Sequence, residues 1–206
     1  MRKKDKKRSQ FGVGAQGLDL MGGQCDFYDD AGKKEATEFT DNFQILPEKF
    51  VSYERDWYSV EQAFQALKLV EKEGFEKIYS EAPNGKNEDQ YGNDVWWLGS
   101  KAGGFNMKDN WDINKVKVMF ILNLEKYIQH PTAIEELVEL TGNARLEGRY
   151  STPSKRHGKR WNFWNGAIQT EIRNSKNIDG LKNLLSKIQS MDGEEVEKYL
   201  LNSVGE

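Results

Sequence analysis

The stretch Tyr58-Ser59-Val60-Glu61-Gln62-Ala63-Phe64-Gln65-Ala66-Leu67-Lys68 opens like a capped helix. Ser59 stands where an N-cap belongs, and Gln62 follows three residues on, the spacing of a capping box. At about 100° per residue, Glu61, Gln65 and Lys68 fall in one narrow stripe. Val60, Phe64 and Leu67 form a separate apolar stripe, which predicts a core-facing side. One helix would then present an acid, an amide and an amine to a shared space. The competing reading is an ordinary surface helix whose polar stripe faces water; Lys72 continues that stripe.

Outward from this helix, the chain has 206 residues, enough for one domain with a full core. Mean hydropathy is low at -0.82, but six Trp, eight Tyr and ten Phe predict a packed interior and possible stacking surfaces. No apolar run is long enough to span a bilayer, and no apolar segment follows the basic start as in a secretory signal. Cys25 is the single cysteine, so no internal disulfide can form. Together these predict a cytoplasmic protein without membrane contact. Residues 1–10 hold six basic side chains against Asp5, a net of +5. The whole chain is -3, which leaves -8 for the remainder. An acidic body with a basic tail is not the profile of a dedicated duplex-DNA binder. The tail reads as solvated chain, or as a phosphate-contacting arm.

Gly12-Val13-Gly14-Ala15-Gln16-Gly17 matches GxGxxG, but a basic tail precedes it instead of a strand, which excludes a dinucleotide turn. Residues 1–23 read as a flexible lead-in, 24–190 as the domain, and 191–206 as an acidic C-terminal helix or tail. Cys25 to Tyr28 and Lys49 to Trp57 predict strands, and Glu71 to Ser80 a second helical piece. Residues 82–110, with Pro83, Gly85, Gly92, Gly99, Gly103 and Gly104, predict a long loop. A helix is predicted from Asp112 to Ile128, apolar all round at its centre. Thr132-x-x-Glu135 has the spacing of a capping box, with Gly142 closing that helix. Arg145 to Tyr150 predicts a short strand, followed by the basic loop Lys155 to Arg160. Trp161 to Arg173 and Leu181 to Met191 read as helices. Trp57, Trp96 and Trp164 are expected in the core. The sum is an α+β fold, mainly helical with a few short strands.

His130 and His157 are the only histidines, so neither a metal cluster nor a Ser-His-Asp triad is expected, and no cofactor. Acid–base work would fall to carboxylates, with lysine as the candidate nucleophile.

Several segments in order resemble the YbiA-like family, also called NADAR domains. They are Asn42-Phe43, the Ser59 to Lys68 helix, Trp111-Asp112 with Met119 beyond, Thr141-Gly142, Leu146-Glu147, and Gly166 to Arg173. The resemblance spans Cys25 to Leu185. It implies a single YbiA-like domain and cleavage of N-glycosidic bonds of ribosylated bases. Glu61, Lys68 and Glu147 are its implied catalytic residues. Asn42, Phe43, Gln65, Trp111, Tyr150, Trp161, Asn165, Gly166 and Arg173 are its implied substrate contacts. The partner expected is an ADP-ribose-type nucleotide or ADP-ribosylated nucleic acid, for example a modified guanine. A second branch acts on phosphoribosylamino intermediates of the riboflavin pathway.

The residue types suit that chemistry. Breaking a ribosyl C–N bond builds positive charge on the sugar, which a carboxylate can stabilise, while a second acid assists the leaving base. A neutral Lys68 could instead attack C1 of the ribose, a role that burial favours and an ionised Glu61 opposes. The family places an Asp and a Trp-Gly shortly after the Leu-x-Glu. Here the segment from Gly148 to Asn165 holds no Asp, and Trp161 precedes Asn162. That departure supports the alternative of a module that sequesters the nucleotide uncleaved. The basic loop beside it reads as a pyrophosphate or strand contact, or as a solvated turn.

Overall fold

The computed structural model describes residues 24–100, 103–149 and 153–205. The glycine motif and basic tail of residues 1–23, and Tyr150, lie outside them.

A three-stranded antiparallel sheet carries one side of the molecule. Strand β1 (Cys25–Asp29) lies between β2 (Gly32–Glu35) and β5 (Leu146–Gly148). Strand alternation gives it two unlike faces. Cys25 and Phe27, with Leu146, are buried on the inner face. Asp26 stands in register with Glu35 and Glu147 on the outer face, where Lys33 and Arg149 close ion pairs with Asp26. Lys49 to Trp57 is not one strand but a hairpin, β3 (Phe50–Ser52) and β4 (Arg55–Trp57), turned by Tyr53 and Glu54 at positive φ.

Eight α-helices among the described residues supply the rest. Helix α1 (Val60–Leu67) begins at Ser59, whose Oγ accepts from the Gln62 N–H at 3.1 Å. The box is not reciprocal, since Gln62 Oε1 accepts from the Tyr58 N–H instead. The Gln62 amide nitrogen donates to the carbonyls of Ile78, Tyr79 and Glu81, tying α1 to the end of α2 (Lys72–Tyr79). Because α1 stops at Leu67, exposed Lys72 belongs to the next helix and says nothing about the Glu61 stripe.

The expected loop at 82–110 contains a twelve-residue helix, α3 (Glu88–Gly99), opened by an Asn87/Gln90 capping box. Its glycines are contact points, not breakers. A Cβ on Gly92 would lie 2.2 Å from the Phe43 ring, and one on Gly99 2.2 Å from Gln65 Oε1. Close approach to α1 and to the Phe43 segment outweighs their helix propensity.

Helix α4 (Trp111–Gln129) is the central helix, with Met119 to Leu122 buried. Helix α5 (Pro131–Thr141) starts one residue before the expected box, with Pro131 in its first turn and no side-chain cap. The basic segment is a hairpin, β6 (Pro153–Arg156) and β7 (Lys159–Arg160), turned at His157-Gly158 with both φ positive. Helices α6 (Trp161–Asn174), α7 (Ile178–Ser190) and α8 (Gly193–Ser203) close the fold. Of the two readings of the C-terminal segment the structure takes the helix: α8 packs on α4 and α6, burying Val196 and Leu200. Trp57 and Trp164 are fully buried as expected, while Trp96 is half-buried. No helix among the described residues is long and apolar enough to cross a membrane.

Candidate functional site

Helix α1 is buried on both its stripes. Glu61, Gln65 and Lys68 are 5%, 3% and 7% exposed, so the surface-helix reading does not hold. Phe64 lies about 60° round the helix from Glu61 and borders the acid–amine line on one side. Its ring meets Trp111 at 4.9 Å between centroids and Trp161 at 5.4 Å, the latter edge-on.

Local backbone contacts explain why those tryptophans arrive there. The strap before α4 pairs with the end of α1: Lys108 N–H donates to the Lys68 carbonyl at 2.9 Å, and Trp111 N–H to the Lys108 carbonyl at 2.9 Å. Trp111 is therefore set beside Phe64 by the same residue that carries the amine. Trp161 follows the β6–β7 hairpin directly. That hairpin is pinned by Ser154, which accepts from Trp164 Nε1 at 3.0 Å, and by Arg156, which forks onto Glu197 of α8. Trp111 and Trp161 are each the first residue of their helix. The rings that open these two helices thus meet at Phe64.

Burial governs the electrostatics. It pushes the Glu61 carboxyl up to about 7, although the Gln65 amide, donating to Oε1 at 2.5 Å, and Lys68 both favour the ionised form. Burial likewise brings the Lys68 amine down to about 8, against the pull of Glu61. The two groups make no direct salt bridge, and neither has another partner among the described residues beyond the Gln65 amide. Burial thus moves the two groups towards each other, favouring the protonated carboxyl and the neutral amine.

Behind α1 runs a buried amide chain. Asn165 Oδ1 accepts from Asn42 at 3.4 Å, Asn42 Oδ1 from Asn123 at 3.0 Å, and Asn123 Oδ1 from Gln169 at 2.9 Å. The Asn42 carbonyl accepts the Glu61 N–H at 2.8 Å. Asn42 and Asn165 thus hold the helix start in place. Phe43 is spent on Gly92, and Gly166 brings α6 against the β5 backbone, where a Cβ would meet the Leu146 carbonyl at 2.4 Å.

Two expected site residues lie elsewhere. Glu147 is exposed on the outer face of the sheet, opposite the face that packs on α6. Arg173 sits twelve residues along α6 from Trp161, roughly 18 Å at the helical rise. It donates to the Ala144 carbonyl and to Asn174, fastening the turn before β5. Residue patterns overlooked Asp41. Burial raises its carboxyl to about 6, it accepts from the Phe43 N–H at 2.8 Å, and its charge reaches Glu61. They also overlooked Lys126 on α4, fully buried against the carbonyls of Phe39 and Asp41, with its ammonium 4.7 Å from the Phe39 ring centroid. Its place seven residues after Met119, on the same helix face, was the available signal.

Among the described residues no three His, Cys, Asp or Glu side chains gather as a metal site. In comparisons with protein-family models, curated proteins and solved structures, nothing matches this chain.

Proposed function

We propose that this protein is an N-glycosidase hydrolysing a ribose–base bond in an ADP-ribose-type conjugate, such as ADP-ribosylated guanine. One observation carries the reading: Glu61 and Lys68 are buried together on one helix, both shifted towards neutrality, beside the Phe64–Trp111–Trp161 rings. A carboxyl near 7 is matched to acid–base work at neutral pH. The tryptophans offer a face for a purine. The resemblance to the YbiA-like family supports the same residues.

In the reaction the C1–N bond breaks and its electron pair leaves with the base. Protonated Glu61 would give that base its proton. The cationic sugar takes water at C1, and the proton lost by that water restores the acid. Lys68 as ammonium would hold the departing charge; as free amine it would attack C1 itself.

The outward position of Glu147 favours one other reading. Without Glu147 as the second acid, the protein would bind the nucleotide and return it intact.

The test is incubation with ADP-ribosyl-guanosine DNA, ADP-ribosyl nucleotides and phosphoribosylaminopyrimidines, read by mass spectrometry, beside Glu61→Gln and Lys68→Ala. Release of base by the wild type, lost in both variants, supports the glycosidase and selects its substrate. Tight binding with every substrate recovered intact overturns it in favour of sequestration.

A further inference from the structure

Gln65 has two unlike ends. Its Nε2 donates to Glu61 Oε1 at 2.5 Å, while its Oε1 is buried without a hydrogen-bond partner among the described residues. A buried acceptor left unpaired is costly, and a native fold retains one for a reason. The cause is visible on α3. Gly99 lies against the amide so closely that a Cβ there would be 2.2 Å from Gln65 Oε1 and 2.9 Å from Gln65 Cβ. The amide occupies a notch that only glycine leaves open, with its hydrogens turned to the carboxylate, which can only accept.

We propose that Gln65 is a positioning residue for Glu61 and not a substrate contact: Gly99 and the α1–α3 contact hold its amide so that Glu61 keeps one oxygen fixed and presents the other to the reacting atoms.

The other charged groups acting on Glu61 are Lys68 from α1 itself and Asp41 from the segment before β3. Titratable groups on the helices packed against α1 are engaged elsewhere. Tyr91 of α3 donates to the Glu81 carbonyl, Lys115 of α4 binds Asp112 and the Ser154 carbonyl, and Tyr79 of α2 packs on Trp57. Gln65 is therefore the one side chain among the described residues that hydrogen-bonds the acid.

The inference deepens the role given to Glu61 above and rests on it, so its test needs a readout that does not depend on turnover. Carboxyl-labelled protein would be titrated by carbon NMR, as wild type, Gln65→Met and Gly99→Ala, with Glu61→Gln identifying the resonance. Gln65→Met keeps the volume and removes the donor. The expected result is a Glu61 midpoint raised by about one pH unit or more, since a hydrogen bond to the ionised form is lost. Gly99→Ala, which displaces the amide, should move it in the same direction. Where turnover is measurable, the acid–base limb of kcat should move with the midpoint while KM changes less than about threefold. An unmoved Glu61 midpoint, or a KM rise with kcat and its pH profile intact, overturns the proposal and makes Gln65 a substrate contact. A wild type that turns over nothing would count against the glycosidase, while the carboxyl titration would still decide the role of Gln65.

Discussion

Two places in this fold bury charged side chains, and they treat them in opposite ways. At the β6–β7 hairpin, fully buried Glu197 receives Arg156 through two nitrogens, and His157 lies 3.0 Å from the same carboxylate. Each charge there has its partner. On α1, Glu61 and Lys68 are buried without a salt bridge between them, and among the described residues the Gln65 amide is the one side chain that hydrogen-bonds Glu61. Desolvation is compensated in the first place and left standing in the second. The first arrangement holds structure together; the second keeps an acid and an amine close to changing charge. The hairpin also serves the helix, because it delivers Trp161 to Phe64.

The contrast breaks most forcefully at Glu197. Glu197→Ala leaves half-buried Arg156 with only the exposed Glu194 carboxylate at 4.0 Å, and the unfolding free energy should fall by about 3 kcal/mol, measured by urea denaturation. Trp161 should lose its fixed place, visible as a change in tryptophan emission. A loss under about 0.5 kcal/mol would mean that the pair is an ordinary surface bridge.

The next effect separates the two glycines of α3. Gly92→Ala drives a methyl into the Phe43 ring and should cost about 2 kcal/mol by overpacking. It should leave the Glu61 titration where it is, unlike Gly99→Ala. Equal shifts of Glu61 in both variants would show that α3 acts on the site as a whole and not through Gln65.

A smaller effect of opposite sign is expected on α1. Glu61→Gln and Lys68→Met each remove a group that burial disfavours, and each should raise unfolding stability by about 1 kcal/mol while removing turnover. Destabilisation by both would place the pair with Glu197, as structure.

These differences explain what residue patterns could reveal. The α1 stripe was legible because a 3.6-residue period brings 61, 65 and 68 together whatever surrounds them. The burial of that stripe was not, because it depends on α3, and α3 was hidden by glycines that read as breakers. Gly92 and Gly99 are small to admit Phe43 and Gln65, contacts across 49 and 34 residues that no local rule detects. Glu147 was legible as a strand residue, but its face depends on the β1–β5 register, which decides that it stands beside Asp26 and not beside α6. Trp111 and Trp161 are legible as substrate contacts through the family resemblance; their meeting at one ring follows from the Lys68–Lys108 backbone bond and the hairpin.

The least effect, and the sharpest in sign, lies in the pH dependence of stability. Glu61 and Asp41 are raised to about 7 and about 6, so the folded state holds their protons more tightly than the unfolded chain does. Their contribution is fully present below the ordinary carboxyl range and is lost as pH rises through 6 to 7. Lys68 and Lys126 are lowered to about 8 and about 7, so their contribution is present above the ordinary lysine range and is lost as pH falls through 8 to 7. The two losses meet, and these four groups together place a shallow stability minimum near neutrality. Ion-paired sites such as Arg156–Glu197 do not generate such a minimum. Thermal midpoints from pH 5 to 10 should show a dip or flattening near 7 in the wild type. Glu61→Gln should weaken its acid side, leaving the Asp41 part, and Lys126→Met should weaken its alkaline side. A plain dome with its maximum near 7, unchanged in both variants, would mean that these buried groups are solvated enough to behave like the paired ones.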